Sequence, residues 1–139
     1  MKIVSLDVGS KTIGVAIGFS DRRITQPILT LQRKSVKKDA LKLQELCRKE
    51  AIDEIVVGLP LELSGEEGRS ARLARQIGLA LGELSGLPVH YQDERYSTVE
   101  AENRLREAGK TARQQKEMID QVAAMVILED WWRSQSPST

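Results

Sequence analysis

The stretch Lys2 to Phe19, KIVSLDVGSKTIGVAIGF, limits the possible folds of this chain more than any other. Ile3, Val4, Leu6 and Val8 make the near-continuous apolar run of a strand buried on both faces, and Asp7 stands near its end. An ionised carboxylate there is costly unless something pairs with it, and a metal ion or a substrate group would do so. An Asp beside Gly at a strand end is also an ordinary turn-former accepting backbone N–H bonds, so the local sequence leaves both readings open. Gly9-Ser10-Lys11 is turn chemistry. In the run that follows, Ile13, Val15, Ile17 and Phe19 point one way while Thr12, Gly14, Ala16 and Gly18 point the other. The small face leaves room for a helix or a ligand close to the backbone.

The 139 residues suit one domain, expected over 1–133, with a flexible Ser-Pro-Ser tail over 134–139. Lys plus Arg number 21 and Asp plus Glu 20, so any basic face must come from distribution rather than net charge. A single cysteine, Cys47, and the lack of a signal-like or membrane-length apolar run point to a cytoplasmic, reducing setting with no membrane partner.

Ile24 to Leu31 reads as a third strand, at a sheet edge because Pro27 cannot donate to a central ladder. The basic run Arg33 to Lys38 reads as a solvated helix start with Ser35 as N-cap; Val36, Ala40, Leu43 and Cys47 then recur at helical spacing to about Glu50. IDEIVVGL, Ile52 to Leu59, returns to a buried strand, parallel to an earlier one. A loop to Gly68 lies where α/β proteins place ligands. A helix from Arg69 to Leu84 and a short strand, Val89 to Gln92, lead into Asp93-Glu94-Arg95. Ser97 and Glu100 read as a capping box for a helix ending at Gly109, and the last helix is expected from about Gln114 to Arg133.

Asp120, Ala123, Ala124 and Ile127 share one face of that last helix, so Asp120 lies on an apolar stripe. It reads either as a ligand or as the ion-pair partner of some Arg. Together with Asp7 and the Asp93–Glu94 pair it suggests a hard-cation site, because Mg²⁺ or Mn²⁺ takes oxygen ligands from a few carboxylates and from substrate phosphates. Such a site hydrolyses phosphodiesters.

The order of three leading strands, helix, strand, helix, strand and helices resembles the ribonuclease H-like fold: an α/β, five-stranded mixed sheet flanked by helices. The motifs DVGSKTIGVAIG, IVVGLP, DERYST and IDQVAAMVIL, spread from Ile3 to Leu128, resemble the YqgF family, described as Holliday-junction resolvases and as nucleases maturing the 5′ end of small-subunit ribosomal RNA precursors. The resemblance implies that Asp7, Glu94 and Asp120 are catalytic and hold Mg²⁺ or Mn²⁺, with Asp93 as a further candidate ligand. It implies that Lys11 and Arg95 meet substrate phosphates. The partners it implies are precursor ribosomal RNA, branched DNA and ribosomal precursor particles. Junction resolvases of this fold usually carry an acid at the end of the strand that here reads IVVGLP. This sequence has none there, which weakens junction resolution more than metal-dependent hydrolysis.

His90, the only histidine, reads as a packed strand residue, and with one Cys there is no set for a zinc site or a Ser-His-Asp triad. Trp131 and Trp132 read as packing, at least one of them, with base stacking the other use of such rings. Arg95 reads as a phosphate contact or as the partner of Asp93. The DVGS turn also resembles the phosphate loop of actin and sugar-kinase ATPases, but those enclose nucleotide between two such domains. A non-catalytic RNA-binding assembly factor is the other class, and the sequence leaves monomer and dimer open.

Overall fold

In a computed structural model, residues 1–135 apart from Leu63 and Arg95 are described. Five strands and four helices follow in order: β1 (Lys2–Val8), β2 (Thr12–Phe19), β3 (Ile24–Gln32), α1 (Val36–Lys49), β4 (Glu54–Leu59), α2 (Arg69–Ser85), β5 (Val89–Asp93), α3 (Ser97–Glu107) and α4 (Ala112–Gln135). They form one sheet in the order β3-β2-β1-β4-β5, antiparallel among the first three strands and parallel from β1 through β4 to β5. This is the expected mixed sheet. β3 is an edge strand, and its register shifts beside Pro27, where the missing N–H costs no ladder bond.

The alternation of β2 decides the layering. Ile13, Val15 and Ile17 join Val4, Leu6 and Val57 in the larger core, which Leu43 and Cys47 of α1 and Ile77 and Leu81 of α2 cover. Burial pushes the Cys47 thiol up to about 11, so it packs as an inert apolar group. On the opposite face lies α4. The backbone of α4 comes so close that a Cβ on Gly14 would land on the Asp120 carbonyl, and one on Gly18 would meet Leu128 and Trp132. The small face read from the sequence is therefore filled by a helix. Gly58 on β4 extends it, lying under Ile127.

Both tryptophans pack: Trp132 is buried with Ile3, Val56 and Leu128, and Trp131 sits 5.0 Å from the His90 ring. His90 Nε2 lies 3.5 Å from Glu54 Oε2 at the amino end of β4, away from the carboxyl ends where the acids stand. α4 also runs to Gln135, two residues into the stretch expected as tail; residues 136–139 lie outside the described residues.

Two helix starts differ from expectation. Ser97 is already inside α3 and buried, the N-cap is Tyr96 with no side-chain cap bond, and the Tyr96 N–H donates instead to Glu94 Oε1 at 3.1 Å. The helix thus starts one residue earlier than a Ser97 cap would place it, and the strand-end acid holds the backbone of the cap residue instead. The reciprocal box stands at α4, where the Gln114 N–H donates to Thr111 Oγ1 (3.2 Å) and the Thr111 N–H to Gln114 Oε1 (3.0 Å), so α4 begins at Ala112 rather than Gln114. Ser35 caps α1 as read, accepting from the Lys38 N–H.

Gly14→Ala should lower stability by about 1–3 kcal/mol, because the obstacle is backbone that cannot rotate away. Gly18→Ala meets only side-chain ends and should cost less. Urea denaturation of both variants checks the order; equal losses would contradict the close approach at Gly14.

Candidate active site

Asp7 is the seventh residue of the chain and the penultimate residue of β1, on the central strand of the sheet. Ile3 of β1 packs into the α4-side cluster while Val4, Leu6 and Val8 pack with α1 and α2, so alternation turns Asp7 toward α4. Its register partner on β2 is Gly14, the residue over which α4 makes its closest approach. Asp120 arrives there from the other end of the sequence. Burial first, and then the facing Asp120 carboxylate, push the Asp7 carboxyl up to about 7.

Thr12, two residues before Gly14, donates its hydroxyl to Asp120 Oδ2 at 2.6 Å. The turn between Asp7 and Thr12 is closed by the Gly9 N–H on the Thr12 carbonyl at 2.8 Å. Arg33, at the end of β3, clamps the turn from outside: its backbone N–H donates to the Lys11 carbonyl (2.9 Å) and its Nη1 to the Gly9 carbonyl (3.1 Å). Its Nε donates to Asp39 Oδ2 at 2.9 Å, and Asp39 Oδ1 also accepts the Lys34 N–H at 3.1 Å. The Asp39 side chain is 1% exposed and that of Arg33 10%, so the pair is an interior one. In the basic run Arg33 to Lys38, read as a solvated helix start, Arg33 is thus a correction: it turns inward, while Lys34, Lys37 and Lys38 are exposed. Asp39 follows Val36 by three residues and so lies on the helix's apolar stripe, the criterion that singled out Asp120; applied to α1 it would have found this pair.

Glu94 follows β5, its N–H donating to the Leu59 carbonyl at 3.0 Å, and is buried while Asp93 is exposed. Val89 and Tyr91 pack toward α2, whereas His90 and Gln92 reach Trp131 and Ser134 of α4. Glu94 thus leaves the sheet at the same end as Asp7. It lines a cavity of ≈ 340 Å³ with Tyr96, Arg104, Val126 and Arg133, between α3 and α4. Of the three expected acids, Asp7 and Asp120 are brought together. Among the described residues no three acids, His or Cys stand close enough to hold one metal ion, so Glu94 is not joined to that pair. Lys11 is exposed beside Thr12 and Asp120; Arg95 lies outside the described residues.

Two facing carboxylates with only oxygen donors, one of them raised by burial and by the other's charge, fit a hard divalent cation such as Mg²⁺ or Mn²⁺.

An acid on the central strand of a 3-2-1-4-5 mixed sheet, facing a second acid on the helix packed over it, defines the ribonuclease H-like class. Residues 1–134 match the family described as RuvX, Holliday junction resolvase, and the chain belongs to that family. A Moorella thermoacetica protein carrying the provisional name pre-16S rRNA nuclease is 41% identical over 131 residues, 94% of each chain. One from Anaeromyxobacter dehalogenans strain 2CP-1 with the same name is 39% identical over 137 residues, covering 99% of this chain and all of its own. Among solved structures, Thermus thermophilus RuvC in complex with a Holliday junction superposes with a TM-score of 0.65 over 97% of this chain and 95% of its own, at 14% identity, which establishes the shared fold.

The raised Asp7 carboxyl has a signed consequence. Between about pH 4, where a free Asp ionises, and pH 7 the folded state keeps a proton the unfolded state has released. Stability of the metal-free protein should therefore fall as pH rises through that window, by roughly 4 kcal/mol at most, and the fall should be absent in Asp7→Asn. At pH 8, Mn²⁺ should raise the Tm of wild type but not of Asp7→Asn. Thermal melts across pH test both; an identical pH dependence in the two proteins would refute the burial of Asp7 as an acid.

Arg33→Ala should cost about 3–5 kcal/mol by leaving Asp39 charged and unpaired in the interior, and Asp39→Asn placed on top should recover part of the loss. A double-mutant cycle with no coupling would show that the pair does not hold the turn.

Proposed function

We propose that this chain is a divalent-cation-dependent nuclease that hydrolyses phosphodiester bonds in structured RNA, maturing the 5′ end of small-subunit ribosomal RNA precursors within ribosomal precursor particles in the cytoplasm. The observation that carries the reading is the meeting of Asp7 and Asp120 across Gly14 at the carboxyl ends of the parallel strands. Relatives about 40% identical over nearly the whole chain and named for pre-16S rRNA support the substrate.

Hydrolysis forms a bond from a water oxygen to phosphorus and breaks the bond to the leaving sugar oxygen, which takes up a proton. Asp7 and Asp120 would hold Mg²⁺ or Mn²⁺, and the cation would supply electrophilic activation of phosphate and water. Asp7 must be deprotonated to do this, so cation affinity should rise with pH through about 7. Thr12 fixes the Asp120 carboxylate by its hydroxyl, and the Arg33 clamp holds the turn that carries Lys11. Lys11 and Arg95 are assigned to substrate phosphates.

The family's description favours a second reading, resolution of four-way DNA junctions. Against it, β4 ends in Gly58-Leu59 and is followed by Pro60, without the acid that junction resolvases of this fold usually carry at that strand end. Incubation of precursor RNA and of a four-way DNA junction with Mg²⁺, Mn²⁺ or EDTA separates the readings. RNA cleavage that needs metal and falls roughly 100-fold or more in Asp7→Asn and Asp120→Asn is expected, matching the several kcal/mol such sites supply. Cleavage of the junction alone would favour the resolvase, and binding without cleavage of either would make the chain an assembly factor.

A further inference from the structure

Beside the acid pair, the ends of β2 and β3 and the first turns of α4 enclose an open cleft of ≈ 700 Å³. Its cations are Lys11 from the β1–β2 turn and Arg113 and Lys116 from α4; Thr12, Thr30 and Gln32 supply uncharged polar groups from the strands. Asp120 is itself a lining residue, so the cleft reaches one member of the acid pair. All three cations are exposed, and neither Lys11 nor Lys116 has an ion pair among the described residues. Arg113 pairs with Glu117 on the next turn at 3.5 Å, with both side chains largely in solvent, which makes that pair weak and exchangeable.

In a protein whose formal charge is only +1, three cations gathered at the mouth of an acidic site are a local arrangement rather than a global one. Among the described residues that line it there is no aromatic ring on which a base could stack. We infer that it is the track for the sugar–phosphate backbone of the strand being cut, gripped by Lys11, Arg113 and Lys116 and led past Asp120. This rests on the nuclease reading and extends it to named residues and a direction of approach. Contacts of this kind position a strand without reading its sequence. Glu117 acts as the opposing charge that an incoming phosphate displaces from Arg113.

The test is fluorescence-anisotropy binding of a short single-stranded RNA, the matching DNA strand and the corresponding duplex at several salt concentrations, with Ca²⁺ in place of Mg²⁺ to hold back cleavage. Arg113→Gln and Lys116→Gln are each expected to weaken binding several-fold and to lower the log–log salt slope by about 0.7 to 0.9. Two unrelated sequences should lose the same factor. Glu117→Gln is expected to tighten binding, an effect that a merely structural pair would not produce. Lys49→Gln, on the last turn of α1 at the far end of the sheet, should match wild type. Thermal melts of these exposed-residue variants verify the fold. Wild-type binding with unchanged slopes in both cleft variants would overturn the track and leave the nuclease reading standing. Loss confined to one base sequence would overturn the backbone assignment. Failure of wild type to bind any of the three nucleic acids would overturn both.

Discussion

Everything at the carboxyl ends of the strands depends on how closely α4 can lie on β2. A helix normally packs on a sheet with a layer of side chains between the backbones; here Gly14 removes that layer at one point, and the Asp120 backbone fills the space. The approach is anchored farther along by Leu128 and Trp132 over Gly18 and by Ile127 over Gly58. Dispersion and burial along this seam hold the helix where its first turns could not hold themselves. The geometry of the acid pair is therefore a packing result before it is an electrostatic one.

Electrostatics then works against the packing. Burial first, and the facing Asp120 carboxylate second, make a charge on Asp7 costly, and the cost appears in its carboxyl, which holds its proton up to about pH 7. A fold selected for stability alone would put Asn at one of these positions. Retaining both acids stores an unfavourable interaction that a cation bound between them would relieve, which is the arrangement expected where function rather than stability decides a residue.

Around the pair, the supports are mostly hydrogen bonds that fix backbone rather than catalytic atoms. Arg33 holds the Gly9 and Lys11 carbonyls and is itself held by the buried Asp39, so β3 and α1 together clamp the turn following Asp7. Thr111 and Gln114 close the amino end of α4 and set where its exposed cations begin. Glu94 accepts the Tyr96 N–H, which ties that acid to the connection between β5 and α3.

Much of this was legible in the residues themselves. Apolar patterns and local turn and cap chemistry marked the strands and helices, the Pro27 edge, the Ser35 cap and the small face of β2, because those signals depend on neighbours a few positions away. Asp7 and Asp120 stood out as charges on apolar stripes for the same local reason. Periodicity says which face a residue occupies but not what covers that face. That α4 would cover Gly14, that Thr12 would bond an acid 108 residues distant, that Arg33 would turn inward to Asp39, and that Thr111 rather than Ser97 would carry the capping box were decided by long-range packing. The chain's own pattern determined the sheet, its edges and which residues could become a site. Only the tertiary structure decided which of them meet, since contact across the whole chain follows from how the layers close and not from any local preference.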